Sequence, residues 1–180
     1  MPEPRGKVLP IAFYRRDTEL VTRELMGKLL CRRMPDGSVL RLRLTELEAY
    51  VGPHDKACHA SRGKTPRTAV MFEPGGVFYV YLCYGMHWML NIVTAGKDYP
   101  AAILVRGVEG MSGPGRVTKH LAVDRALNAR PVRKTCGLWV EDDGIHISDT
   151  QIERTPRIGI GYAGEYWINQ PLRFVLDTVR

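Results

Sequence analysis

Residues 39–51 read VLRLRLTELEAYV. Successive side chains of a strand point to opposite faces, so Leu40, Leu42 and Leu44 share one face. Unbroken alternation continues that face as Glu46, Glu48 and Tyr50, and a core-facing row turns acidic. A carboxylate carried toward a protein interior is costly unless it is paired, hydrogen-bonded or used. The opposite face, Leu47, Ala49 and Val51, is also apolar there. Two readings therefore stay open on spacing: a functional carboxylate, and a strand end emerging into water. Pro35-Asp36-Gly37 marks a turn between this strand and an extended stretch before it.

Upstream, Asp17 is placed to cap a helix carrying Val21, Leu25 and Leu29 at four-residue spacing, one apolar stripe against the core. Residues 1–12 are Pro-rich and read as a loosely attached, flexible arm. Downstream, residues 52–76 form a Gly- and Pro-punctuated loop, long for a connection in a small domain and of a kind that is often functional. It holds Lys56, Arg62, Lys64 and Arg67, which serve either to bind phosphates or simply to meet solvent. Val77–Cys83 and Met86–Thr94 read as two strands closed by Tyr84-Gly85, a hairpin with a tyrosine at its tip. An exposed aromatic there suits insertion between bases.

Residues 101–108 are apolar apart from Arg106. A guanidinium in such a run needs an acidic partner or an anionic ligand, and a glutamate of the 39–51 strand is a natural neighbour. A purely structural salt bridge satisfies the pattern equally well. Ser112-Gly-Pro-Gly leads into RVTKHLAV, a turn into a helix whose first N–H groups either hold a phosphate or merely begin the helix. LWVEDDG, IHIS and LRFVLD supply short strands and turns. The expectation is a single α+β domain over residues 1–180, with a curved, mostly antiparallel sheet, surrounding helices and a protruding hairpin.

Composition bounds the function. A chain of 180 residues with 44% apolar content builds one sizeable core. The 26 Lys and Arg against 19 Asp and Glu give a net charge of +7, which favours a polyanionic partner without naming it. The four cysteines, at 31, 58, 83 and 136, lack the spacing of a structural zinc site. The start, MPEPRGKVLPIAFYRR, has no apolar stretch of signal-peptide length, and no later run approaches a membrane span, so a soluble, intracellular protein is expected. Gly159, Gly161 and Gly164 copy dinucleotide-binding spacing but lack the acidic residue and βαβ context that fingerprint needs. His54, Asp55 and His59 lack a further ligand cluster for a metal, and no GxSxG nucleophile setting occurs.

The stretch TELEAYVGPHDKACHASRGKTPR followed by MFEPGGVFYVYLCYGMHWMLNIVT resembles the alkyladenine (3-methyladenine) DNA glycosylase family, whose signature joins an E-A-Y-x-G-P strand end to Y-V-Y-x-x-Y-G-M. ILVRG, SGPGRVTK and RIGIGYAGEYW with PLRF resemble later blocks, so the likeness covers most of residues 40–176. It implies that Glu48 activates a water and that Arg106 helps to hold that water and the carboxylate. Tyr50, His59 and Tyr81 would hold the flipped base, and Asn91 would screen purines by their exocyclic group. Tyr84 would fill the gap left in the duplex, with Met86 nearby in the minor groove and Arg62, Lys64 and Arg67 on phosphates.

The implied activity is excision of alkylated purines, 3-methyladenine and 7-methylguanine, from double-stranded DNA by a monomer that uses no metal or cofactor. The chemistry suits such residues. A departing base builds positive charge on the sugar, which a carboxylate stabilises. A cationic methylated purine gains ~1–2 kcal/mol per desolvated aromatic contact over a neutral one. Flipping costs least for a damaged base. Two alternatives remain: a non-catalytic damaged-DNA-binding module of the same fold, and a bifunctional glycosylase–lyase using a lysine such as Lys56 or Lys64.

Overall fold

A computed structural model describes residues 6–177. In chain order its elements are β1 (Lys7–Val8), α1 (Ile11–Tyr14), α2 (Thr18–Leu25), β2 (Leu29–Arg33), β3 (Val39–Tyr50), β4 (Phe78–Cys83), β5 (His87–Val93), β6 (Ala102–Val108), β7 (Met111–Ser112), α3 (Pro114–His120), β8 (Leu138–Asp142), β9 (Ile152–Thr155), α4 (Glu165–Ile168) and β10 (Arg173–Leu176). The fold is α+β, with a curved antiparallel sheet in the order β1-β8-β2-β3-β6-β5-β4. β10 joins it by pairing with both β3 and β9, and β7 pairs with β6.

β3 is the hub. Its first part pairs with β2, and its last residues pair with β6 and β10. The alternation expected along it breaks at Thr45. Pairing with β6 slips between Leu44 and Glu46 and slips back between Glu46 and Leu47, leaving Thr45 and Arg106 without opposite partners. A bulge of this kind turns side chains over. Leu44, Leu47 and Ala49 all enter the core, with Leu40 and Leu42 packed at its margin. Glu46, Glu48 and Tyr50 thus do not continue the leucine face; they occupy the other one.

Beyond the bulge, the strands divide their side chains cleanly. Leu47 and Ala49, Phe78 and Val80, Leu90 and Ile92, and Ile103 and Val105 build the core under α2, which contributes Val21 and Leu25, and α3, which contributes Val117 and is followed by the buried cap Leu121. Each such aliphatic or aromatic side chain contributes roughly 1.5–3 kcal/mol on burial. The alternate residues of the same strands face the other way and form the site described below.

The hairpin closes where the sequence places it. Met86 N–H donates to Cys83 O at 3.0 Å, and Tyr84 and Gly85 have φ of 50° and 66°, the tight turn whose twist matches the strands. Asp17 caps α2 by accepting from Leu20 N–H at 2.9 Å. Leu29, expected on that helix, instead opens β2. The helix stops at Leu25, and Gly27, at φ 81°, leaves no room for a side chain beside Ile147. IHIS forms no strand.

The expectation of a flexible arm over 1–12 fails for its described part. Lys7 and Val8 pair with β8, Leu9 is buried and α1 starts at Ile11, because Leu9 and Ile11 supply apolar surface to the core. Residues 1–5 lie outside the described residues.

Candidate active site

On the sheet face away from the core, one row of side chains crosses four strands. Tyr79 on β4 lies opposite Asn91 on β5, Asn91 opposite Leu104 on β6, and Leu104 opposite Glu48 on β3. A cavity of about 460 Å³ stands over this row. Its walls include Tyr50, His59, Tyr79, Tyr81, Asn91, Arg106 and Tyr162. Its size and mixed apolar and polar lining suit a small planar ligand.

Glu48 is fully buried behind this wall. One carboxylate oxygen accepts from Ile158 N–H at 2.7 Å, the other from the Tyr50 hydroxyl at 2.8 Å. The Arg106 Nε stands 3.6 Å away. Burial pushes the Glu48 carboxyl above its ordinary value, against the opposing pull of Ile158 N–H, Arg106, the Tyr50 hydroxyl and Arg157. A raised carboxyl is what a general base working near neutrality requires. Tyr50 is raised as well, by burial and then by the Glu48 charge, so its hydroxyl keeps its proton and donates it.

Arg106 finds the glutamate that its apolar surroundings demand, and it finds two. Its Nε donates to Glu46 at 3.0 Å while approaching Glu48. Glu46 also accepts from Arg173 Nε at 2.8 Å and from the Ser112 hydroxyl at 3.0 Å. Glu46 is therefore the partner that anchors Arg106, which leaves Glu48 the less neutralised of the two. Burial opposes ionisation of Glu46, but the hydrogen bonds from Arg173, Arg106 and Ser112 outweigh it and hold this carboxyl below the usual range. Two neighbouring carboxyls are thus shifted in opposite directions, Glu46 down and Glu48 up.

The aromatic wall is similarly organised. The His59 ring meets Tyr81 edge-on at 4.6 Å, and its Nδ1 lies 3.1 Å from the Tyr79 hydroxyl. Desolvation against these rings, then the charge of Arg67, holds the imidazole below its ordinary value, so it is neutral at physiological pH. Asn91 donates from its amide nitrogen to Tyr79 O at 3.1 Å, which fixes its orientation at the cavity wall. Tyr84, 93% exposed, and Met86, 70% exposed, stand at the hairpin turn beside the opening.

The basic residues divide. Arg67 lies over the Tyr81 ring at 5.1 Å and lines both this cavity and a second, basic one of about 860 Å³ that it shares with His59 and Tyr162. Arg62 lines only the second. Lys64 is exposed, its Nζ 5.5 Å above the Phe72 ring. The sequence reading missed Glu46 as the Arg106 anchor, Tyr79, and the Asp55–Arg157 pair behind Tyr50. Tyr79 was within reach, since it shares its strand face with Tyr81. Asp55, read as a rejected metal candidate, gave no signal of a partner 102 positions away.

A model of the family described as "Methylpurine-DNA glycosylase (MPG)" matches residues 12–112 and 109–180. The chain belongs to the methylpurine-DNA glycosylase family. Relatives of this glycosylase carry the name "Putative 3-methyladenine DNA glycosylase". One, from Myxococcus xanthus, is 45% identical over 92% of this chain and 88% of its own length. Another, from Methanocella arvoryzae, is 44% identical over 93% and 91%. A third, from Psychrobacter cryohalolentis, is 40% identical over 89% and 88%. As a member of a DNA glycosylase family, the chain is a hydrolase of DNA repair. No helix among its described residues is long and apolar enough to cross a membrane.

Proposed function

We propose that this glycosylase acts as a monofunctional enzyme that flips 3-methyladenine and 7-methylguanine out of double-stranded DNA and hydrolyses the glycosidic bond with a water activated by Glu48. The observation that carries the reading is a buried, raised carboxylate set beside an arginine at the wall of an aromatic cavity. The two hydrogen bonds to Glu48 leave lone pairs on both oxygens, enough to accept from a water that Arg106 helps to hold. Tyr50, His59 and Tyr81 grip the flipped purine, and a neutral His59 does not repel a cationic one. Asn91, locked by Tyr79 O, rejects bases whose exocyclic group meets its amide. Tyr84 occupies the vacated stack, with Met86 against the minor groove.

As the base departs, the ionised Glu48 stabilises positive charge on the sugar and takes a proton from the attacking water. Purified protein incubated in EDTA with duplex DNA carrying methylated purines should release free 3-methyladenine and leave abasic sites. Glu48→Gln should abolish release, by roughly 100-fold or more for loss of a general base, and still bind lesion DNA. Release by the Gln variant at the parent rate would overturn the assignment. Binding without release by the parent protein would indicate a recognition module instead. A covalent DNA adduct under borohydride would indicate a lyase.

A further inference from the structure

Asp55 and Arg157 form a two-pronged ion pair, at 2.6 and 2.9 Å, with both side chains fully buried. Asp55 also accepts from the N–H groups of Val51 and Ala57, at 3.1 and 3.0 Å. The guanidinium donates further to Ala49 O at 2.9 Å, and its central carbon lies 4.7 Å from the centroid of the Tyr50 ring. Arg157 does not line the cavity, whereas Tyr50 and the next residue, Ile158, do. The ring therefore has the guanidinium behind it and the cavity in front. A buried ion pair is poor value as a stability device, since the desolvation of two charges consumes what their attraction returns. A pair so placed suits a role in geometry better than one in stability.

We infer that the Asp55–Arg157 pair is a positioning device for the purine site: the guanidinium backs the Tyr50 ring, the Tyr50 hydroxyl fixes Glu48, and one buried cation aligns stacking plate and carboxylate. Arg157 is a positioning residue, since it touches neither base nor water, and its role rests on the function proposed above. The backbone strengthens the link, because Ile158, joined directly to Arg157, supplies the N–H bound to Glu48. Over a ring and forked on a carboxylate, the guanidinium uses both properties that distinguish arginine from lysine.

The test compares Arg157→Lys, which keeps the charge but loses the fork and the plate, with the double variant Arg157→Met, Asp55→Asn, which removes the charge pair without stranding either partner. Three readouts separate the roles: single-turnover excision, affinity for a duplex with an abasic site, and the pH profile of excision. Arg157→Lys should lose roughly ten- to a hundred-fold in single-turnover rate, as expected for a small misplacement of reacting groups, while binding abasic DNA as the parent does.

Glu48 faces Tyr50 on β3, Arg106 on β6, Arg157 with Ile158 N–H from the loop before α4, Tyr162 just after them, and Arg173 opposite it on β10, whose guanidinium is held by Glu46. The positive charge of Arg157 favours its ionised form. The double variant removes the Arg157 pull on Glu48 together with the opposing, weaker field of Asp55, so the acid limb of excision should move modestly to higher pH, and Arg157→Lys should leave the limb in place. Tyr50→Phe keeps the ring and the ion pair but cuts the link to Glu48, so its acid limb should also rise. That variant decides the link even where an Arg157 variant fails to fold. Wild-type excision by Arg157→Lys, or losses matching only the unfolded fraction, or an unmoved limb in Tyr50→Phe would overturn the inference. Absence of base release by the parent protein would instead overturn the proposed function.

Discussion

A carboxylate without exposed surface is a burden that the molecule carries at Glu48. The linkage has a definite sign. Its carboxyl is raised in the folded state, so protonation favours folding: the full stability contribution is present below the unfolded value and is lost as pH rises through the folded one. Glutamine is neutral at all pH, can accept from Ile158 N–H and can donate to the Tyr50 hydroxyl. Glu48→Gln should therefore melt higher than the parent near neutrality, with the difference shrinking as the pH falls below the folded value. Thermal melts across that range check this; a variant that melts lower at every pH would show that the ionised carboxylate is well solvated by its partners. At this scale the site was half legible. Glu48 and Arg106 stand out because each is a charge inside an apolar run, where the energetic cost of burial demands a reason. Asp55 and Arg157 do not, because each lies among loop residues where a charge is normally solvated, and only the fold brings them together.

Among the elements, the bulge shared by β3 and β6 decides which face the acidic residues occupy. Nothing in an alternating sequence marks where alternation breaks, so VLRLRLTELEAYV pointed to an acidic core face when the glutamates belong to the opposite one. The hairpin, by contrast, was readable from Tyr84-Gly85, since few dipeptides sit in a turn needing positive φ twice. Gly107 guards the bulge. A Cβ added there would lie 2.9 Å from the Glu46 Cβ and 3.3 Å from its carboxylate. Gly107→Ala should cost about 1–3 kcal/mol through overcrowding and should slow excision beyond that loss by shifting the anchor of Arg106. Denaturant melts with single-turnover rates on fully folded protein would check it; an unchanged rate would mean that Glu46 does not set the Arg106 position.

For the whole molecule, a net charge of +7 favours association with DNA, a polyanion, and in the function proposed above the neutral and paired groups of the cavity select the base. Arg62 and Lys64, exposed beside the basic cavity, are phosphate contacts in this proposal. Each contact releases counterions, so the slope of log affinity against log salt should fall by about one per residue removed. Binding isotherms of Arg62→Ala, Lys64→Ala across a salt series should lose about two from the slope of the parent. An unchanged slope would remove both from the interface. Composition alone indicated the sign of the partner. The sheet order, in which β10 closes onto β3 from the far end of the chain, had no trace in local pattern.

That closure also sets the reach of the site along the sequence. Glu48 draws its partners from far along the sequence: Arg106 on β6, Ile158 N–H 110 positions on, and Arg173, which pairs opposite Glu48 and holds Glu46 across 127 positions. Before those distant segments close on it, the carboxyl lacks the burial that raises it. A local unit such as the hairpin needs only neighbouring residues, whereas the surroundings that shift Glu48 need segments from across the sequence, so the proposed chemistry depends on closure of the whole sheet.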